Sequence, residues 1–232
     1  MKIVIRRGFV ALALAGSAFA GPASAQEPCQ VGELTAGALQ SGTIGRYGTQ
    51  DGSELEFVQF TKVLETESNI VFTAFTIVPA DQSQDVEAFE FRGRSGRLGG
   101  LLRVDNGRRA MFGDYRTREY SGDPLSQIEA LEPGENIALA SVEHSRFNGE
   151  YRAVESPVTL TFLGCQTREL FGEPVQTRLF DIAYEVRSYN RRTQADGETL
   201  IAHQLEYSPA HGMVVSTTSP LGQLGLVELY EP

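Results

Sequence analysis

The side chains best suited to chemistry in this 232-residue sequence are its arginines. Residues 92–118 hold eight of them, Arg92, Arg94, Arg97, Arg103, Arg108, Arg109, Arg116 and Arg118, against Asp105 and Asp114 alone. That is a local charge of +6 in a chain whose formal net charge is −10. Guanidinium forks match the geometry of phosphate and carboxylate groups, which are the chemistry of lipid headgroups, lipopolysaccharide and acidic polysaccharide. Arg92 and Arg94 share a strand face by period two, and a hairpin turning at Asn106-Gly107 carries Arg103, Arg108 and Arg109 to one tip. Arg92, Arg94, Arg97, Arg103, Arg108 and Arg109 therefore form a candidate anion-binding patch. The competing reading is a solvated face paired with acids from elsewhere. Basic residues throughout the chain are 18 Arg and only 2 Lys, so arginine usage is a chain-wide habit.

Other chemistry finds little footing. His144, His203 and His211 lack ligand spacing on one element, so no metal site is expected. His203 is expected opposite Asn190 on a strand surface, and His211 lies in the Tyr207–Gly212 turn as a polar loop residue. There is no Gly-x-Ser-x-Gly and no His-Glu-x-x-His. Gly93-x-x-Gly96-x-x-Gly99-Gly100 has no strand-turn-helix context for a dinucleotide and reads as a flexible hairpin loop. The acid-rich turns Asp51–Glu56 and Asp196–Glu198 do not fit the twelve-residue calcium loop. No catalytic residue and no cofactor is assigned.

Cys29 and Cys165 are an even pair and read as a disulfide, given the oxidising address argued next. It would staple the N-terminal segment to the core. Closing so long a loop stabilises by at most roughly 5 kcal/mol in the chain-entropy model. A redox role lacks the Cys-x-x-Cys that would support it.

The address comes from residues 1–25, which read as a signal peptide. Lys2, Arg6 and Arg7 form a basic start, Phe9–Ala20 is an apolar run, and Ala23-Ser24-Ala25 is a small-x-small site with the cut after Ala25. No later stretch is long and apolar enough for a transmembrane helix, so a soluble periplasmic or secreted protein is expected. Cleavage would leave 17 Lys+Arg against 30 Asp+Glu, a charge of −13 that argues against nucleic acid as a partner.

Four Asx-Gly pairs punctuate the chain, at Asp51-Gly52, Asn106-Gly107, Asn148-Gly149 and Asp196-Gly197, each between β-prone residues. Two-residue turns at the second and fourth would set Asp105 against Arg108 and Arg187 against Glu206. Phe180, Ile182, Tyr184 and Val186 alternate as a half-buried strand, and residues 69–78 are apolar on both faces, as a central strand would be. Further strands are expected at 54–65, 86–93, 99–105, 108–113, 136–146, 151–155, 158–165, 198–207, 212–217 and 223–230. A short helix is predicted at 124–131, capped by Asp123 with Pro124 at its first position. So many strands in one flat sheet would curl. The fold class is therefore all-β, mainly antiparallel, as a strongly curved sheet or open β-barrel with one short helix. Residues 26–232 are expected to form one domain, with possible halves 26–122 and 131–232.

From Gly164-Cys165 through Phe180-Asp181-Ile182-Ala183-Tyr184-Glu185-Val186 to Tyr207-Ser208-Pro209-Ala210-His211-Gly212-Met213-Val214-Val215, the chain resembles a family of secreted bacterial β-rich proteins of unknown function. Leu131-Glu132-Pro133-Gly134 resembles an upstream feature of that family, so the likeness covers about residues 130–218. It implies a curved, envelope-associated β domain with a distant relation to periplasmic lipoprotein carriers, and it brings no catalytic residue. The function expected is non-enzymatic: binding of a lipid-like or hydrophobic small molecule, or of an envelope protein, on a concave apolar face. The alternative is a secreted hydrolase acting on envelope or extracellular polymer.

Overall fold

The computed structural model describes residues 29–34, 39–49, 57–82, 90–91, 93–105, 115–147, 150–190, 195–219 and 222–230. These form fourteen strands: β1 (Ile44–Thr49), β2 (Phe57–Glu67), β3 (Ile70–Pro79), β4 (Gly93–Leu98), β5 (Leu102–Asp105), β6 (Tyr115–Tyr120), β7 (Asn136–Leu139), β8 (Ser141–Phe147), β9 (Glu150–Glu155), β10 (Val158–Leu170), β11 (Glu173–Asn190), β12 (Ala195–Ser208), β13 (Met213–Ser219) and β14 (Gly222–Tyr230). One short helix, α1 (Pro124–Glu129), separates β6 from β7. The strands make a single antiparallel sheet in the order β7-β10-β11-β12-β13-β14-β1-β2-β3-β4-β5-β6-β8-β9, strongly curved and not closed.

A bent hairpin joins the two ends of that order. Ala140 alone separates β7 from β8, and Ser156-Pro157 separates β9 from β10. One half of the hairpin, β7 with β10, lies against β11, and the other half, β8 with β9, lies against β6. The strand expected at 136–146 is thus broken at Ala140, where the chain turns a corner from one end of the sheet to the other. Buried Arg118 of β6 fastens this corner. Its Nη1 donates to Ser141 Oγ (3.1 Å) and the Ser156 carbonyl (2.6 Å), and its Nη2 to Glu143 Oε2 (3.0 Å) and Ser156 Oγ (3.0 Å).

The main core lies where β10, β11 and β12 curve under α1 and residues 29–34. Leu160, Phe162, Phe180, Ile182, Leu205 and Tyr207 meet Leu125 and Ile128 from the helix and Val31 and Leu34 from the N-terminal segment. That segment is held covalently by a Cys29–Cys165 disulfide. It is also held by Arg178 Nε donating to the Val31 carbonyl (3.1 Å) and by Leu34 N–H donating to Glu129 (2.7 Å). The helix begins as predicted, with Asp123 accepting from the Ser126 N–H at 3.1 Å and Pro124 in its first turn. The apolar run at 69–78 is β3. Val78 joins Val58, Phe60, Ile44, Ala80 and Phe91 in a cluster on its outer side, while Val71 and Phe75 face inward; Ile77, at the end of the inward row, is 55% exposed.

Several registers differ from expectation. Asp196-Gly197 lies inside β12, where Ser188 pairs with Gly197 and Arg187 with Glu198, not Glu206. Asp105 pairs with Thr117, and the turn expected at Asn106-Gly107, with the strand expected at 108–113, lies outside the described residues. The glycine-rich stretch expected to be a flexible loop is strand β4, with Gly99 and Gly100 as the turn into β5. By contrast, Phe147 pairs with Glu150, as a two-residue connection at Asn148-Gly149 requires. Strands β1 and β6 were not anticipated.

Candidate functional site

Along β1–β4, alternate residues point to the concave side. Gln59, Thr61 and Val63 of β2, Val71, Thr73 and Phe75 of β3, and Ser95 and Arg97 of β4 line a part-open cavity of about 120 Å³, with Met213, Val214, Thr217 and Leu224 lining it from β13 and β14. The wall alternates apolar groups with hydroxyls and an amide. Two glycines shape it. Phe75 pairs with Gly93, and its ring occupies the space where a Cβ on Gly93 would lie. Gly100, at φ +70°, brings the β4–β5 turn against the β12–β13 turn so closely that a methyl group there would overlap the Gly212 carbonyl oxygen. Both turns border the cavity.

Across β4 and β5, Arg97 is directly opposite Arg103. Residues so placed project from the same face with Cβ atoms about 4.5–5.5 Å apart, and like charges there are destabilising. Both side chains are half-buried. Arg97 donates from Nη1 to the Leu101 carbonyl (2.9 Å), and the Arg103 guanidinium lies 5.8 Å from the centre of the Tyr184 ring. Arg118 approaches the same ring at 5.1 Å. Among the described residues no carboxylate lies within 4.0 Å of the Arg97 or Arg103 guanidinium.

The groups around this pair carry its imprint. Burial first, and then the neighbouring Arg97 charge, pull the Arg103 guanidinium below its usual range. Burial pushes the Tyr47 and Tyr120 phenols up, with Arg97 opposing in both cases. Their hydroxyls are committed to backbone: Tyr47 donates to the Val214 carbonyl (3.1 Å) and Tyr120 to the Arg103 carbonyl (3.0 Å). His203 faces inward, opposite Ile182, and its ring meets Tyr184 edge-on at 6.4 Å. Burial lowers its pKa, and the charges of Arg103 and Arg97 lower it further against a hydrogen bond to the Thr218 carbonyl. The expected surface position opposite Asn190 depended on the hairpin register that does not form.

The six arginines of the expected patch are thus divided. Arg92, Arg108 and Arg109 lie outside the described residues. Arg94 is on the outer face, 5.0 Å from the Phe72 ring centre and paired with Glu65 at 3.2 Å. Among the described ones, Arg97 and Arg103 come together, and they do so inside the curve of the sheet. Arg116 pairs with Glu143 at 3.2 Å, the same carboxylate that Arg118 holds. The inward positions of Tyr47, Arg118 and His203 carried no motif in the sequence. The signal available was spacing of three, which puts Arg94 and Arg97 on opposite faces of any strand.

Two histidine arrangements lie away from the cavity lining. His144 bridges Tyr151, through Nδ1, and Glu119, through Nε2 at 3.4 Å, on a strand face where Tyr151 is 58% exposed. The Ser208 hydroxyl is 2.8 Å from His211 Nδ1, but Ser208 is fully buried and so closed to a substrate. Among the described residues no three His, Cys, Asp or Glu side chains converge to hold a metal ion, and no helix is long and apolar enough to cross a membrane.

No protein-family model matches the chain, and no curated protein matches it. Among solved structures it is similar to the crystal structure of the hypothetical lipoprotein YmcC from Escherichia coli (K12). That match has 13% sequence identity and a TM-score of 0.45, and it covers 83% of this chain and 86% of that one. A likeness of that extent bears on no question of ligand or activity.

Proposed function

We propose that this is a non-enzymatic binding protein of the bacterial envelope or its exterior, which holds a small ligand with an apolar body in the cavity on the concave side of β1–β4. The observation that carries the reading is the cavity itself. Six strands converge on it, and their own side chains leave about 120 Å³ unfilled between an apolar wall of Val63, Val71, Phe75, Met213 and Leu224 and a set of hydroxyls. Ligand sites combine these features, an apolar enclosure and a few convergent polar groups. The disulfide fits an oxidising compartment.

Size restricts the ligand. Sites for drug-sized molecules run to about 300–1,000 Å³, whereas a cavity of about 150 Å³ accommodates benzene. The body enclosed here is therefore a single ring or a short aliphatic chain. Native mass spectrometry of the protein purified from a bacterial periplasm tests this, with denaturation to release and identify any bound molecule. A small organic adduct is expected. Its absence, together with no response of the Phe75 and Val71 resonances to a panel of short-chain and aromatic compounds, would refute the reading.

A further inference from the structure

We propose that the ligand is a small organic anion whose carboxylate is held by the guanidinium groups of Arg97 and Arg103 while its apolar body lies against Val63, Val71 and Phe75. This rests on the reading that the cavity binds a ligand, and it adds the ligand's charge and polarity.

The observation behind it is the cross-strand cation pair. Arg97 and Arg103 oppose one another on one face of the β4–β5 ladder, half-buried, with no carboxylate of the described residues within 4.0 Å of either. Arg97 uses one N–H on the Leu101 carbonyl and keeps the rest of its fork, and it also lines the cavity. Facing guanidiniums of this kind repel until an anion bridges them.

Composition does not force the arrangement. The chain carries Asp+Glu 30 against Lys+Arg 20, so a carboxylate opposite either arginine was readily available. Yet the inward-facing cations Arg97, Arg103 and Arg118 share the neighbourhood of Tyr184 and Tyr120, and Glu143, the acid that Arg118 holds, is also bonded to Arg116. The Tyr47 and Tyr120 phenols donate to backbone carbonyls, and the Tyr184 hydroxyl accepts from the Arg103 N–H at 3.3 Å. The two forks are the charged donors left to receive an anion, and a planar carboxylate is the group they match two bonds at a time. The adjoining wall, apolar with hydroxyls between, takes the rest of the molecule.

The test uses the disulfide-bonded protein and three probes, hexanoate, 1-hexanol and inorganic phosphate, with affinities from ligand-observed NMR titration and mutual competition. Hexanoate is expected to bind about tenfold or more tighter than 1-hexanol, the difference one charge-assisted hydrogen bond makes. Arg97→Gln and Arg103→Gln should each bring hexanoate down toward the alcohol, leaving the alcohol within about twofold of its original affinity. Because either change removes the repulsion, the urea midpoint of each variant should not fall. Arg97→Lys, which keeps charge without the fork, provides a second variant and should bind hexanoate at an intermediate level.

Equal binding of hexanoate and 1-hexanol to the unmodified protein would overturn the anion assignment and leave the cavity reading standing. Binding of neither would overturn both. Phosphate binding as tightly as hexanoate, unaffected by hexanol, would also overturn the proposal, by showing an oxyanion site with no use for the apolar wall.

Discussion

Arg118→Met removes a buried cation at the corner of the sheet while keeping most of its volume, and its cost can be worked from the contacts. The guanidinium donates four hydrogen bonds, to Ser141, Glu143 and twice to Ser156. Removing one member of a buried ion pair costs about 3–5 kcal/mol when the other is stranded. Here Glu143 keeps Arg116 at 3.2 Å, and the Ser156 carbonyl keeps the Ser141 hydroxyl as a donor, so neither is left without a partner. What is lost is the difference between charge-assisted and ordinary bonds, at about 1.5–3 kcal/mol, and the cation over the Tyr184 ring, at about 1–2 kcal/mol. Against this, the guanidinium no longer has to be desolvated. The expected net loss is about 2–4 kcal/mol, which is large because it falls where β8 and β9 meet β10. Urea denaturation at neutral pH with the disulfide intact, followed by circular dichroism, reads it as a lower midpoint at unchanged slope. Adding Glu143→Gln should cost much less in the Arg118→Met background than in the unmodified protein, because the two residues form one network. A midpoint within about 0.5 kcal/mol of the unmodified protein would refute the reasoning and show the corner to be held by the backbone alone.

Two further outcomes follow from named contacts. Gly172→Ala at φ +84° meets nothing within 4 Å and should cost only the left-handed backbone strain, about 1–2 kcal/mol, whereas Gly100→Ala adds overlap with the Gly212 carbonyl and should cost about 3 kcal/mol or more, both read as urea midpoints. His203 has a folded pKa below its unfolded value, so the unfolded chain binds the proton first and stability falls as pH drops from about 6.5 through the folded pKa. His203→Gln should flatten that part of the stability–pH curve and leave it unchanged above pH 7, and an identical slope in both proteins would dissociate the histidine from it.

Elements whose burial pattern repeats over many residues were legible in the sequence, whereas a turn signal set the register of β8 and β9 but not that of β11 and β12. The alternation Phe180, Ile182, Tyr184 names the inward face of β11, and Asp123-Pro124 marks the start of α1, because both signals are local and chemical. Asp196-Gly197 carries the strongest dipeptide signal for a hairpin, yet it sits within β12. Bending there would have moved β12 eight positions along β11, pairing Phe180 beyond Leu205. Phe180 and Leu205 are both core residues, and burying such a pair outweighs a turn preference.

The site was hidden for a related reason, and the glycines of residues 93–100 are its cause. Glycine in such number reads as a loop, and in a loop the spacing of three between Arg94 and Arg97 carries no directional meaning. In β4 the same spacing sends Arg94 outward to Glu65 and Arg97 inward to the cavity. Each glycine answers a spatial demand instead: Gly93 receives the Phe75 ring, Gly96 the Phe72 ring edge, and Gly100 the Gly212 carbonyl. The Gly99-Gly100 turn also fixes the short return that sets Arg103 opposite Arg97. The residues that weaken the strand on paper are therefore those that let the sheet curve tightly, close one side of the cavity and bring two cations face to face. It follows that a change at Gly100 should lower stability and binding together, whereas a change at Arg97 should lower binding without lowering stability.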